Sequence, residues 1–290
     1  MSEQETVENL YFDKLAEDLF VDPSAEISYP PVAISLGEAV SNTPQGQKTY
    51  PIPIGTYGNF SFVQAPPKSK KTFFISLLGS VFLSGTNNFG GNIKGHREDE
   101  CLVHFDTEQG NFHAQKVFRR VLDMNEGNDA GCYHTFGLRT LGYKERIDFI
   151  EYYLYNKLEN KCGVVIIDGI ADLVSDVNNL EESNAVVQKI MKWSAELNCH
   201  IITVIHSNFG SDKPTGHLGS FLEKKTETQI QLEANTVNKE LVTVSCKRSR
   251  GFPFETFSFK VNNHGLPEVE GDLFDVLEGT NFKKVKYENN

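Results

Sequence analysis

The stretch that most constrains this chain runs from Asn59 to Leu78, NFSFVQAPPKSKKTFFISLL. Phe60 to Gln64 reads as a buried strand. Ala65 to Lys70 is too short and too rich in proline and lysine for anything but a tight loop. Lys71-Thr72 then opens an apolar run long enough for a helix, reaching about Leu83. A strand that feeds directly into a helix through a six-residue basic loop commits the chain to an α/β layer arrangement, with the strand inside a sheet and the helix packed on it.

Strand, loop, Lys-Thr and helix is also the architecture of a phosphate-binding P-loop. In G-x-x-x-x-G-K-[ST] the loop amides and helix N-terminus cradle phosphates, the Lys reaches the β- and γ-phosphates, and the hydroxyl holds Mg²⁺. Here the spacing is kept, but Ala65 and Lys70 stand where the glycines would be. A residue other than glycine held at positive φ costs on the order of 1 kcal/mol or more. The alternative is a basic turn, Lys68-Ser69-Lys70-Lys71, between strand and helix.

Downstream, strands and helices alternate. Strands are expected at Cys101–Asp106, Cys132–Leu138, Gly163–Asp168 and His200–His206. Helices are expected at Asn111–Met124 (with Phe112, Val117, Phe118 and Val121 on one face), Lys144–Leu158 and Leu180–Leu197. GVVIID, from Gly163 to Asp168, is apolar throughout, as a central parallel strand covered on both faces must be. Antiparallel strands follow at Glu227–Leu232, Leu241–Cys246 and Phe254–Val261. Before the alternation, residues 1–30 read as a short helix or flexible arm around Tyr11–Phe20. Residues 32–58 read as an edge hairpin or lead-in with β-like runs at Val32–Leu36 and Thr49–Ile54. The organisation is then 1–58 arm and lead-in, 59–270 main α/β domain, and 271–290 tail.

Ligands in such sheets bind at the carboxyl ends of the strands, and carboxylates sit there. Asp168 ends the most apolar strand, placed to orient Mg²⁺ beside Thr72, or else simply to open a turn with Gly169. Glu108 lies just past the strand ending at Asp106. It can orient the water that attacks a γ-phosphate, or it belongs to an acidic cap ahead of Asn111. His206, Ser207 and Asn208 close the last parallel strand; a polar group there can bond phosphate in one nucleotide state and not another. The loop Phe209–Ser220 reads as long and mobile. Lys247-Arg248-Ser249-Arg250 is a basic cluster after the strand Leu241–Cys246, and the alternative for it is a solvated turn.

Composition excludes other classes. A net charge of −11 leaves no room for a protein that binds duplex DNA with its whole surface. No apolar run is long enough for a membrane span, and the first residues lack the basic start and apolar core of a secretory signal. Five scattered cysteines suit buried thiols in a reducing cytoplasm. His104, His113, Cys132 and His134 have no metal-ligand spacing, and no G-x-S-x-G nucleophile elbow is present.

In this order, the P-loop, FDTEQG, IID, the polar cluster at His206 and the late antiparallel strands resemble the RecA-like P-loop ATPases. That superfamily includes the RecA and RadA recombinases, KaiC and the hexameric DnaB- and RepA-type helicases. FDTEQG is similar to the IDTEG segment of RadA-type recombinases, whose glutamate is the catalytic carboxylate. KSKKT, His206-Ser207-Asn208, Gly216-His217-Leu218-Gly219 and Lys224-Lys225-Thr226-Glu227-Thr228 look most like RepA-like AAA-type ATPases of bacterial mobile elements.

The resemblance implies a mostly parallel sheet flanked by helices with antiparallel C-terminal strands, covering about residues 59–262. It implies ATP and Mg²⁺ as ligands. Nucleotide contacts fall on Ala65, Pro66, Pro67, Lys68, Ser69, Lys70, Lys71, Thr72 and Phe73, with His206 and Asn208 as sensors. Thr72 and Asp168 hold the metal, and Glu108 is the catalytic carboxylate. Lys247, Arg248 or Arg250 reaches a neighbouring subunit's ATP. It further implies a ring, most plausibly a hexamer, helicase or replication-accessory work on DNA, and contact with single-stranded DNA through the loop around Lys213. A nucleotide-dependent switch or scaffold without helicase activity is the alternative.

Overall fold

The computed structural model describes residues 3–43, 46–127, 130–158, 161–208, 211, 213–235 and 237–270. The chain divides into two units, Met1–Pro30 and Pro31–Asn290. In the first, helix α1 spans Glu3–Leu19 and leaves Leu10, Tyr11, Phe12 and Leu19 exposed. It is longer than the Tyr11–Phe20 run that apolar periodicity suggests. The expected tail after Asp272 lies outside the described residues.

The second unit opens with a hairpin, β1 (Val32–Thr43) and β2 (Gly46–Thr56), paired antiparallel down to Thr43 opposite Gly46. Only its base is apolar and buried, at Ala33, Ile34, Leu36 and Ile54, while Val40 and Tyr50 are exposed. The outer half is held by backbone pairing among polar residues, so apolar runs underestimated both strands. A short strand, β4 (Ile93–Gly95), pairs antiparallel with β1.

The main sheet has nine strands. In chain order these are β3 (Phe60–Ala65), β5 (Cys101–Asp106), β6 (Tyr133–Gly137), β7 (Cys162–Asp168), β8 (His200–His206), β9 (Thr228–Ala234), β10 (Val242–Ser249), β11 (Phe257–Val261) and β12 (Pro267–Val269). Their spatial order is β12-β11-β10-β9-β3-β8-β7-β5-β6. The six strands from β9 to β6 run parallel, and β10, β11 and β12 add antiparallel pairs. β3, β5 and β7 are buried along their whole length, which is why they read as mostly apolar runs.

Helices α2 (Lys71–Ser84) and α3 (Asn111–Asp123) pack against each other, and α2 shares one core with Leu102, Val121 and Phe259. Every residue of α2 from Phe74 to Leu83 is buried. On the other core lie α4 (Tyr143–Asn156), α5 (Leu180–Glu196) and α6 (Gly216–Lys225), with Trp193 and Ile190 against Phe62, Phe105 and Ile167. His104 sits inside the sheet, bonded to the Tyr133 hydroxyl at 3.0 Å and pushed down to about 3 by burial, a core histidine rather than a ligand.

Four expectations need correction. Phe112 is exposed, and the buried stripe of α3 is Ala114, Val117 and Val121. Gly216–Ser220 is the first half of α6 rather than mobile loop; of that loop, residues 209, 210 and 212 lie outside the described set. β11 starts at Phe257, because Phe254 is buried in irregular chain after Pro253. β10 runs to Ser249, so Lys247 and Arg248 belong to a strand rather than to the turn after it.

Candidate nucleotide site

Ala65 ends β3 in strand conformation, fully buried. The strain falls later, with Lys68 at φ 64° and Lys70 at φ 62°, ψ 29°. Of the two consensus glycine positions, only the one occupied by Lys70 requires the left-handed region. The Ser69 hydroxyl donates to the Pro66 carbonyl at 2.6 Å and closes the loop. The Lys70 carbonyl accepts from the Phe73 and Phe74 amides at 3.1 and 3.2 Å and starts α2. Lys70 thus caps the helix with no side-chain cap, leaving the first-turn amides and the positive end of the helix dipole at the loop.

Lys71 is drawn back onto the loop, its Nζ 3.1 Å from the Pro66 carbonyl and 3.0 Å from His206 Nδ1. An ammonium only donates, so His206 Nδ1 accepts and the ring proton sits on Nε2. That atom lies 3.7 Å from Glu108 Oε1. Burial and then the Lys71 charge hold His206 below the usual imidazole range. Burial also lowers Lys71, against the pull of Glu108 and Asp168. Burial, then Asp172, raises Glu108.

Asp106 and Asp168 are register neighbours at the ends of β5 and β7. Asp106 Oδ1 accepts from the amides of Glu108 and Gln109 at 3.1 and 2.8 Å. Asp106 thus closes the turn ahead of α3, whose N-cap, Gly110, has no side-chain cap, and the Glu108 side chain faces His206. Asp168 bonds the Thr72 hydroxyl and is pushed up to about 7, by burial first and by Asp106 and Glu108 next. Asp168 Oδ2 is buried without a partner, as is Asp106 Oδ2. Gly169, at φ 106°, permits the crowding: a Cβ there would stand 2.2 Å from Thr107 Oγ1.

A hydroxyl beside a buried, unpartnered carboxylate oxygen is an all-oxygen donor pair, and it fits magnesium. That ion takes one or two protein oxygens and keeps its waters. Among the described residues no group of three or more His, Cys, Asp or Glu could hold a metal ion.

These groups face one cavity of about 410 Å³. It is lined by Lys68, Ser69, Lys70, Lys71, Thr72 and Phe73, by Glu108 and Asp168, by His206, and by Gln109, His113, Lys116, Val117 and Arg120. Sequence reading missed the α3 contribution. His113, Lys116 and Arg120 recur at helical spacing and form one basic face; the apolar stripe drew attention instead. Arg120 stacks on the Phe73 ring at 3.8 Å and bonds Ser76 Oγ at 3.1 Å.

Other expected residues lie elsewhere. Asn208 does not line the cavity; its amide donates to the Lys213 carbonyl at 2.8 Å. Lys213 is exposed. Arg248 and Ser249 pair with Gln229 and Thr228 of β9, and Thr228 pairs with Ser61, so they sit at the foot of the sheet. That is about 13 Å along β3 from Ala65 at ~3.3 Å per residue. Arg250 is anchored there by Nη2 to the Lys225 carbonyl at 2.7 Å.

Residues 39–212 match the AAA domain family, a span that takes in the P-loop, Glu108, Asp168 and His206. The crystal structure of the RadB recombinase matches in fold with a TM-score of 0.51 at 17% identity, over 73% of this chain and 90% of RadB. No curated protein sequence matches the chain. With more than half its length inside the match, the chain belongs to the AAA domain family and has the RecA-like fold of the P-loop nucleotide-binding ATPases.

Proposed function

We propose that the cavity binds ATP with Mg²⁺ and hydrolyses it. What carries this reading is the convergence of Lys71, Thr72, Asp168 and Glu108 on one cavity at the carboxyl ends of β3, β5 and β7. Lys71 exchanges the Pro66 carbonyl and His206 for β- and γ-phosphate oxygens. Loop amides and the α2 N-terminus receive the same phosphates. Thr72 and Asp168 hold magnesium, which supplies positive charge to the phosphate oxygens. Glu108, raised by burial, orients and deprotonates the attacking water. His206, released from Lys71, is free to bond the γ-phosphate or the water and so to report which is present.

The basic residues Lys247, Arg248 and Arg250 serve a neighbouring copy. Their distance from the loop in the same chain supports action in trans, as an arginine finger supplied by a partner. A ring of copies, plausibly a hexamer, working on single-stranded DNA through the Lys213 loop is the fuller reading, as a RepA-like helicase or replication accessory of a mobile element. A net charge of −11 favours a second reading, a nucleotide-driven switch that moves no DNA.

ATP hydrolysis by the purified protein with Mg²⁺, with and without single-stranded DNA, separates them. Lys71→Ala should abolish nucleotide binding. Glu108→Gln should bind ATP and lose turnover by at least ~100-fold. Wild-type turnover in Glu108→Gln refutes the assignment of the water-orienting residue. Stimulation by DNA supports the motor, and nucleotide-dependent stabilisation without it supports the switch.

A further inference from the structure

We propose that Lys70 is shared between two acceptors, the β9–β10 turn and the bound nucleotide, so that nucleotide binding releases the turn. This rests on the cavity being the nucleotide site. Lys70 takes the place where a glycine would satisfy the backbone, and it holds a left-handed conformation that glycine adopts at less cost. Its side chain explains why a lysine can stand there. Nζ crosses to the Glu240 carbonyl at 2.9 Å, while the same residue lines the phosphate cavity.

The turn that it holds is braced internally. Asn235 Oδ1 accepts from the amides of Val237 and Asn238 at 2.9 and 3.0 Å, and Asn238 Oδ1 accepts from Glu240 at 3.0 Å. The Asn235 amide donates to the Leu241 carbonyl at 3.0 Å. The turn is a preformed body fastened to the phosphate loop through an ammonium–carbonyl bond. A carbonyl is neutral, whereas a triphosphate offers several full negative charges within reach of the same loop. The donor is charged in both bonds, but only the phosphate adds a full negative charge on the acceptor and so a Coulomb attraction between opposite charges; the ammonium transfers and the turn is freed. No covalent step is involved.

The test is hydrogen exchange of the amides of residues 237–241 in the full chain, with and without ATPγS and Mg²⁺, for wild type, Lys70→Met and Lys70→Arg. Nucleotide affinity is measured by calorimetry on the same samples. Wild-type turn amides should exchange ~10–100-fold faster with nucleotide, the loss expected for one bond from a charged donor. Lys70→Met should exchange fast in both states, and Lys70→Arg, which keeps a donor, should restore slow exchange without nucleotide and fast exchange with it. A merely structural lysine gives no nucleotide dependence. Tight nucleotide binding with unchanged turn exchange, or equal protection in Lys70→Met and wild type, overturns the proposal. No nucleotide binding by the wild type overturns the site reading and the release step, while the Lys70→Met comparison still decides whether the lysine fastens the turn.

Discussion

Asp168 should destabilise the nucleotide-free protein, and removing its charge should stabilise it. The carboxyl is 6% exposed, and its Oδ2 has no partner. Burial, Asp106 and Glu108 push it from 3.8 up to about 7. At about 1.4 kcal/mol for each tenfold change in proton affinity, keeping it ionised costs up to about 4 kcal/mol. The sign follows from linkage. The folded state holds the proton more tightly than the unfolded state, so stability falls as pH rises from about 4 and levels off above about 7. Asp168→Asn removes the penalty, and its amide can donate to the unpartnered Asp106 oxygen beside it. At about 2–4 °C per kcal/mol for a chain of this size, the variant should melt on the order of 10 °C higher at pH 8. The gap should close towards pH 4. Differential scanning calorimetry across that range reads both. Adding ATP and Mg²⁺ should raise the wild-type midpoint by mass action and raise the variant's less, since the variant lacks one magnesium ligand. Equal midpoints at pH 8, or a gap that does not depend on pH, refute the argument that an unpaired buried charge waits there for a cation.

Gly169→Ala would set a Cβ 2.2 Å from Thr107 Oγ1 at φ 106°, so it should cost ~2–4 kcal/mol by denaturant titration and slow turnover; an unchanged midpoint contradicts that geometry. Phe74→Ala, under the stacked Phe259 ring at 6.0 Å, should cost ~3–5 kcal/mol, measured the same way. Arg250→Ala and Lys71→Ala, each impaired alone, should recover part of the turnover when mixed, because each supplies what the other lacks. Failure to recover, with both proteins folded and assembled, argues against action in trans.

Much of the sheet was legible because its strands are covered on both faces: β5, β7 and β8 are mostly apolar runs closed by Asp106, Asp168 and His206. The carboxylates stood out because they end those runs, whose interior polar residues, His104 and Thr203, are uncharged and buried. What stayed hidden depends on contacts rather than patterns. The outer hairpin is paired through its backbone and leaves no apolar trace. His113, Lys116 and Arg120 share a face that matters only once α3 is laid beside the P-loop. The dual use of Lys70 needs Glu240, far away in sequence, to arrive next to it. For the basic cluster, composition showed its charge, but only strand pairing with Gln229 and Thr228 shows which end of the sheet it occupies.

The unbroken burial of α2 from Phe74 to Leu83 has a mechanical meaning. A rod packed on every side cannot slide or tilt without opening voids, so the two residues at its tip, Lys71 and Thr72, are held in place. Compliance must lie in what surrounds them: the ends of β5 and β8, where Glu108 and His206 are half in solvent, and the turns beside the loop. On the proposed function, a γ-phosphate bound there would act on those edges, and the residues that grip it would stay where they are.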